Sequence, residues 1–454
     1  MNNKPIRLKK LTIMKKEISN IFNAFRAHIV DICQDAAKRA PYLVCDDERK
    51  RATLFTRTRV WTFANVVHAV MCCFKRTLSV EVAQFLETEN LPQTTPEAYI
   101  ERRALISDEL FKDLNLWLNQ HLYETGTVQQ WKCGKYLCGI DGTRLSLPYT
   151  EELYKKYRQR DDKGYNLARG LFVTDLVNRT IVMADMYPNK TEERKAALES
   201  LTSDTFPYPL LFTVFVMDRG YPSLYLMNWF AKNTGGFIIR ARRDTNPQVA
   251  AFMDSDKSSE TVTLKLSPNR RDIDYPDPAP LEVRLVKRPP FEDEEVPTVY
   301  ITNLDADQYP DDVIRNAYRM RWNSETEIGT AKNELQIEIF SGTREICIRQ
   351  DFFAALILYN IESVIRLFCN KKLQSHTGKY KVQVSMNSTW LFTCLLIMAM
   401  FRSERILDRE LTFSVKMFLR MRSLIRPGRS YPRKKKKIKS SGKYITLTNY
   451  KRGL

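Results

Sequence analysis

Histidine is scarce in this chain: four in 454 residues, at His28, His68, His121 and His376. So small a supply argues against a zinc site and against acid–base chemistry centred on imidazole. Cysteine offers no framework either. The nine cysteines are odd in number and scattered. Cys72 and Cys73 are adjacent, and Cys133 and Cys138 form a C-x4-C pair with no second pair near them. They read as reduced, mostly buried thiols. Long apolar runs are missing too. The longest, Trp390 to Phe401 (WLFTCLLIMAMF), is about half of what a spanning helix needs and predicts a buried helix. The first residues, MNNKPIRLKKLTIMKK, lack a long apolar core and a small-residue cleavage site, so no signal peptide is expected. The expectation is a cytoplasmic protein without a membrane partner.

Acids disappear at the other end. From Ile425 onward, thirty residues hold eleven Lys and Arg and no Asp or Glu, including Arg433, Lys434, Lys435, Lys436 and Lys437. This basic tail can bind a polyanion or simply stay solvated. The whole chain carries +19, from 72 Lys+Arg against 53 Asp+Glu. Nucleic acid is the usual partner of such an excess.

With 43% hydrophobic residues the chain is globular, and its length implies two or three domains. Residues 1–130 read as helical. Arg57 to Leu86 has apolar residues at three- and four-residue intervals without Gly or Pro, and Thr95-Pro96-Glu97 opens a helix that carries Arg102 and Arg103. This module could bind DNA through exposed Arg and Lys, or merely pack. From 131 the texture changes. Tyr136–Leu147 reads as an apolar run, then Asp-Gly, then alternation; 170–186 as a hairpin around 177–179; 190–201 as a helix; 210–217 as a strand covered on both faces; 222–232 as a helix; and 236–241 as a strand. The order predicts a mixed α/β sheet with helices on its faces. Residues 245–303 read as a small β insertion, and helices return at 311–335 and 351–368.

Asp141 (GIDGTRL) and Asp218 (FVMDRGY) each follow a long apolar strand, where ligand sites of α/β sheets gather. Asp before Gly is also a common turn residue. Asp161, Asp162, Asp175 and Asp185 compete, but none follows so long a strand. A sharper signal lies in Tyr318, Arg321, Glu325 and Lys332. At roughly 100° per residue these four fall within an arc of about 60° on a helix. Ordinary i,i+4 pairing explains Arg321 with Glu325, but not the whole stripe. A phenol, a guanidinium, a carboxylate and an ammonium in line suit a site that holds a metal and a phosphate together.

Asp141 in IDGT, Asp218 in DRGY and Y-x2-R-x3-E-x6-K at Tyr318, Arg321, Glu325 and Lys332 together resemble the DDE transposases of bacterial insertion sequences, in the group with the Y-R-E-K motif. ITNLDAD before the helix, the β insertion and the basic tail are similar as well, and the likeness runs from about 50 to 440. It implies an RNase H-like catalytic domain over 131–375, with its insertion at about 245–303. A helical DNA-binding domain (1–130) would precede it, and a helical region with the basic tail (376–454) would follow. Asp141, Asp218 and Glu325 would be the catalytic, metal-holding acids. The cofactor would be two Mg²⁺ ions, with Mn²⁺ as substitute, and Tyr318, Arg321, Lys332, Trp322 and the tail would contact DNA. The partners would be transposon terminal repeats and target DNA, bound by a homodimer in a bacterial, nucleoid-associated setting. Relatives that form a hairpin on the transposon end stack a flipped base on a Trp of the insertion. Here 245–303 has no Trp, only Phe252, Tyr275, Phe291 and Tyr300. Trp322 is the other candidate platform, unless it is a core aromatic.

Phosphodiester transfer fits these residues. Hard cations about 4 Å apart take oxygen ligands and serve an in-line displacement. A metal-dependent nuclease of the same fold, or an inactive DNA-binding regulator, would share most of these features. A carboxylate glycosidase fits badly, because Arg and Lys beside Glu325 would keep its acid ionised.

Overall fold

The computed structural model describes residues 4–57, 59–72, 76–157, 166–201, 206–266, 278–290, 297–373, 381–384 and 390–425, without the side chains of 4–14, 390 and 391. The first part is helical: α1 (Lys4–Gln34), α2 (Ala36–Arg39), α3 (Glu48–Thr53), α4 (Phe63–Cys72), α5 (Leu78–Thr88), α6 (Pro96–Arg103) and α7 (Glu109–Glu124). The stretch that periodicity alone joins, 57–86, contains two helices, α4 and α5. Thr95 caps α6 as its sequence predicts, its hydroxyl accepting from the Ala98 amide at 3.2 Å with Pro96 in the first turn.

Strands then enter: β1 (Tyr136–Leu147), α8 (Glu151–Tyr157), β2 (Asn166–Asp175), β3 (Ile181–Pro188), α9 (Glu193–Leu201), β4 (Thr213–Met217), α10 (Leu224–Asn233) and β5 (Gly236–Arg240). They continue through α11 (Pro247–Asp254), β6 (Ser259–Leu264), β7 (Leu281–Arg288), β8 (Thr298–Thr302) and α12 (Asp311–Asn333). The chain closes with α13 (Glu345–Leu373), β9 (Val382–Val384), α14 (Trp390–Met400), α15 (Glu404–Arg420) and β10 (Arg422–Leu424).

Two compact units divide these elements. The first comprises 1–118, 146–167 and 331–454, the second 119–145 and 168–330. An eight-stranded mixed sheet has the order β3-β2-β1-β4-β5-β8-β7-β6. β1, β4 and β5 run parallel, while β5–β8, β8–β7 and β7–β6 are antiparallel. The stretch read as an insertion therefore extends the same sheet beyond β5. All five β4 residues are buried, as the apolar run required. Leu137, Val214, Val216, Ile238, Val286, Tyr300, Ile314 and Ala317 share the core of the second unit, so α12 is anchored on the sheet by its first turns.

In the first unit, α13 is long and apolar enough to cross a membrane by composition, which the sequence reading overlooked. Yet 94% of its most apolar stretch is buried inside the protein, the behaviour of a core helix. Arg103, one of the cations considered for DNA contact, is unavailable: 1% exposed, it donates to the Cys347 carbonyl and to Asp351, each at 2.8 Å, and to Ser341 and Gln350. Removing one member of a buried ion pair leaves an uncompensated charge. Arg103→Leu is expected to cost about 3–5 kcal/mol of unfolding free energy by urea denaturation. A loss below about 1 kcal/mol, the range of exposed pairs, would contradict this account.

Candidate active site

Parallel register brings the first two acids level. β1 and β4 pair from Tyr136↔Thr213 to Gly139↔Val216, so two residues further along Asp141 stands opposite Asp218. Adjacent strands lie about 4.8 Å apart, which makes these neighbouring carboxylates. Asp218 sits just past β4, as expected, and accepts from the Gly220 amide at 2.6 Å. Asp141 does not sit past its strand: β1 continues through it to Leu147. The Asp-Gly pair that resembled a turn is instead extended backbone, with Asp141 accepting from the Gly142 amide at 3.0 Å.

α12 supplies the third acid. Ser324 packs where small residues allow a close approach: a Cβ on Gly139 would lie 3.4 Å from the Ser324 Cβ. Arg179, in the β2–β3 turn with φ of 60°, pairs at 2.6 Å with Glu327, which is 0% exposed, while Asn323 donates to the Leu176 carbonyl at 3.1 Å. These contacts fix the rotation of α12 against β1 and the hairpin. Arg321 then reaches Asp141 Oδ2 at 3.4 Å and Glu325 Oε1 at 2.5 Å, with only 13% of its side chain exposed. Its guanidinium lies 5.6 Å from the centre of the Tyr318 ring, which in turn stacks on Tyr300 at 4.5 Å. Burial opposes the charge on Arg321, but Tyr318, Glu325 and Asp141 outweigh it and hold its pKa above the ordinary value.

Asp141 shows the opposite balance. Burial pushes its pKa up to about 7. Arg321 pulls it down, while Glu325, Asp218 and Glu193 push it further up. The centre thus carries more negative charge than Arg321 neutralises. Hard oxygen donors with surplus like charge fit a divalent cation such as Mg²⁺ or Mn²⁺. Among the described residues, however, no three His, Cys, Asp or Glu side chains are gathered closely enough to hold one as they stand.

Lys332 lies on the last turn of α12 and pairs with Glu338 at 3.6 Å; Glu338 also accepts from the Ser146 amide at 2.7 Å. Trp322 is 56% exposed, which rules out the core-aromatic reading. Of the aromatics in 245–303, Phe252 and Tyr300 are buried, whereas Tyr275 and Phe291 fall outside the described residues. So do Arg433, Lys434, Lys435, Lys436 and Lys437, and the competing Asp161 and Asp162. Asp175 is spent internally, accepting from the Val177 and Asn178 amides and from the Tyr208 hydroxyl. Three residues at the site went unread in the sequence. Glu193 faces Asp141, Tyr221 follows Asp218 by three residues, and Arg240 stands opposite Asp218 when the β4–β5 register is extended by one residue. Glu193 looked like one charge of a solvated helix, and only its approach to Gly142 marks it out.

Comparison with known proteins agrees with this centre. Residues 132–361, about half of the chain, match the family described as the transposase DDE domain. The chain belongs to that family. Among solved structures it is similar to a piggyBac transposase synaptic complex with hairpin DNA, at 11% identity and a TM-score of 0.39, over 81% of this chain and 77% of that one. No curated protein sequence matches it.

The raised Asp141 pKa has a consequence for the metal-free protein. Between the ordinary value of 3.8 and about 7 the folded chain binds more protons here than the unfolded chain does. Stability therefore falls as pH rises through that window, and the full cost applies above it. Without divalent cations, Asp141→Asn should be more stable than the parent at pH 8, by on the order of 3 kcal/mol. The advantage should shrink toward pH 4. Equal urea midpoints at pH 8 would contradict the burial of this charge.

Proposed function

We propose that the chain is a DNA transposase that cuts at transposon ends and joins them to target DNA by two-metal-ion phosphodiester transfer. The observation that carries this reading is the meeting of Asp141, Asp218 and Glu325 around Arg321. The strand order 3-2-1-4-5 of the first five strands, with the third acid on a later helix, supports an RNase H-like core. Two Mg²⁺ ions, or Mn²⁺ in their place, would activate the attacking oxygen and stabilise the leaving one when bound.

The protein's own side chains account for the rest. Asp141, Asp218 and Glu325 would hold the cations by their oxygens. Arg321, already charged and largely shielded from water, is placed to grip a phosphate oxygen once cations neutralise its carboxylate partners. Tyr318, held by Tyr300, is placed to hydrogen-bond the backbone. Lys332 would add a phosphate contact by leaving Glu338. Trp322 presents an aromatic face to solvent, suited to stacking on a displaced base. The basic tail, Arg433 to Lys437, and the helical 1–130 region would add salt-dependent grip on double-stranded DNA, terminal repeats and target alike. Holding two ends at once calls for a homodimer in the DNA complex, in a bacterial cytoplasm at the nucleoid.

Purified protein, Mg²⁺ and a supercoiled plasmid carrying the element's two terminal repeats test this reading. Cleavage at the ends, joined products and no reaction without metal are expected. Glu325→Gln should lower the rate by on the order of a thousandfold, several kcal/mol of transition-state stabilisation. Cleavage without joining would favour a nuclease, and binding without cleavage in either Mg²⁺ or Mn²⁺ a regulator.

A further inference from the structure

A fourth carboxylate lies against the strand that carries Asp141. Glu193 opens α9, and a Cβ on Gly142 would stand 2.5 Å from its Cδ, 2.7 Å from its Oε1 and 2.8 Å from its Cγ. The position after Asp141 is thus kept without a side chain, and Glu193 fills the space. Arg169 on β2 holds Glu193 through Oε1 and also reaches the Asn189 carbonyl at 3.5 Å. The Glu193 carboxylate keeps 32% of its surface exposed, so it is not sealed inside that pair.

Tyr221 gives an independent sign. It is completely buried, and its hydroxyl has no hydrogen-bond partner. The charged groups acting on it are Glu193, Asp141, Asp218 and Arg169. A buried hydroxyl is ordinarily satisfied, so one aimed among three carboxylates points to an acceptor that arrives with a ligand. A merely structural Glu193–Arg169 pair would not need to crowd a second carboxylate.

We propose that Glu193 is a fourth carboxylate of the catalytic centre, giving an oxygen to a divalent cation shared with Asp141, while Tyr221 donates its hydroxyl to the oxygens around that cation. Arg169 is a positioning residue that aims Glu193. This rests on the metal-carboxylate reading of Asp141, Asp218 and Glu325.

Mn²⁺ binding to the full chain, followed by the electron paramagnetic resonance of free Mn²⁺, tests it without relying on catalysis. Glu193→Gln keeps the shape, the Arg169 contact and the packing on Gly142, and removes only the charge. It should weaken Mn²⁺ binding by about tenfold or more, and Tyr221→Phe by a smaller factor, with unchanged circular dichroism. Cleavage by Glu193→Gln should recover at raised Mn²⁺. If Glu193→Gln fails to fold, Glu193→Asp, which keeps the charge on a shorter arm, should fold and bind Mn²⁺ more weakly than the parent. Parental affinity in a folded Glu193 variant, with Asp141→Asn weakened, overturns the fourth carboxylate and leaves the three-acid centre standing. Parental affinity in Asp141→Asn as well overturns the metal reading itself.

Discussion

Arg321 hydrogen-bonds at once to Asp141, from β1, and to Glu325, one turn along its own helix. The architecture of the second unit depends on that bridge. Parallel strands bring Asp141 and Asp218 side by side, and α12 adds Glu325. Burial alone would oppose such an assembly, since each further carboxylate raises the cost of the last. One largely shielded guanidinium offsets part of that cost and leaves a remainder. The remainder is visible in Asp141, held near neutral pKa despite its cationic neighbour.

Arg321 can stand there only because α12 is fixed closely and in one rotation. Ser324 meets Gly139 where larger residues would collide, and the buried Glu327 locks onto Arg179 in the hairpin turn. Removing Arg179 would bury an unpaired carboxylate, so the hairpin and the helix are tied energetically as well as in space. The same economy of side chains recurs at Gly142, beneath Glu193. Functional sites commonly concentrate unfavourable charge in this way, at a cost to the stability of the free protein.

Much of this was legible in the sequence because it rests on local pattern. Apolar runs marked β1, β4 and β5, the 3.6-residue period marked α12, and the spacing of Tyr318, Arg321 and Glu325 fixed their common face. What escaped reading depends on distant pairing. Asp141 resembled a turn residue because its strand neighbours lie 30 to 80 residues away in the chain. Arg103 looked like a surface cation because its partners, Gln350 and Asp351, lie on α13. Nothing local separates Glu193 from the charges around it in KTEERKAAL, and the extension of the sheet by β8, β7 and β6 shows no period that distinguishes it from a separate module. The family match over 132–361 bears on the transposase reading, whereas the individual roles of Tyr318, Lys332, Trp322 and the tail rest on chemistry alone.

The measurement that bears most directly on the central claim is a structure of the chain with terminal-repeat DNA and Mn²⁺, located by anomalous scattering. The account predicts Mn²⁺ peaks among Asp141, Asp218 and Glu325, with Arg321 turned from the carboxylates onto a backbone phosphate beside the scissile bond. Mn²⁺ bound elsewhere, or DNA seated away from these acids with the Arg321 bridge intact, would contradict it.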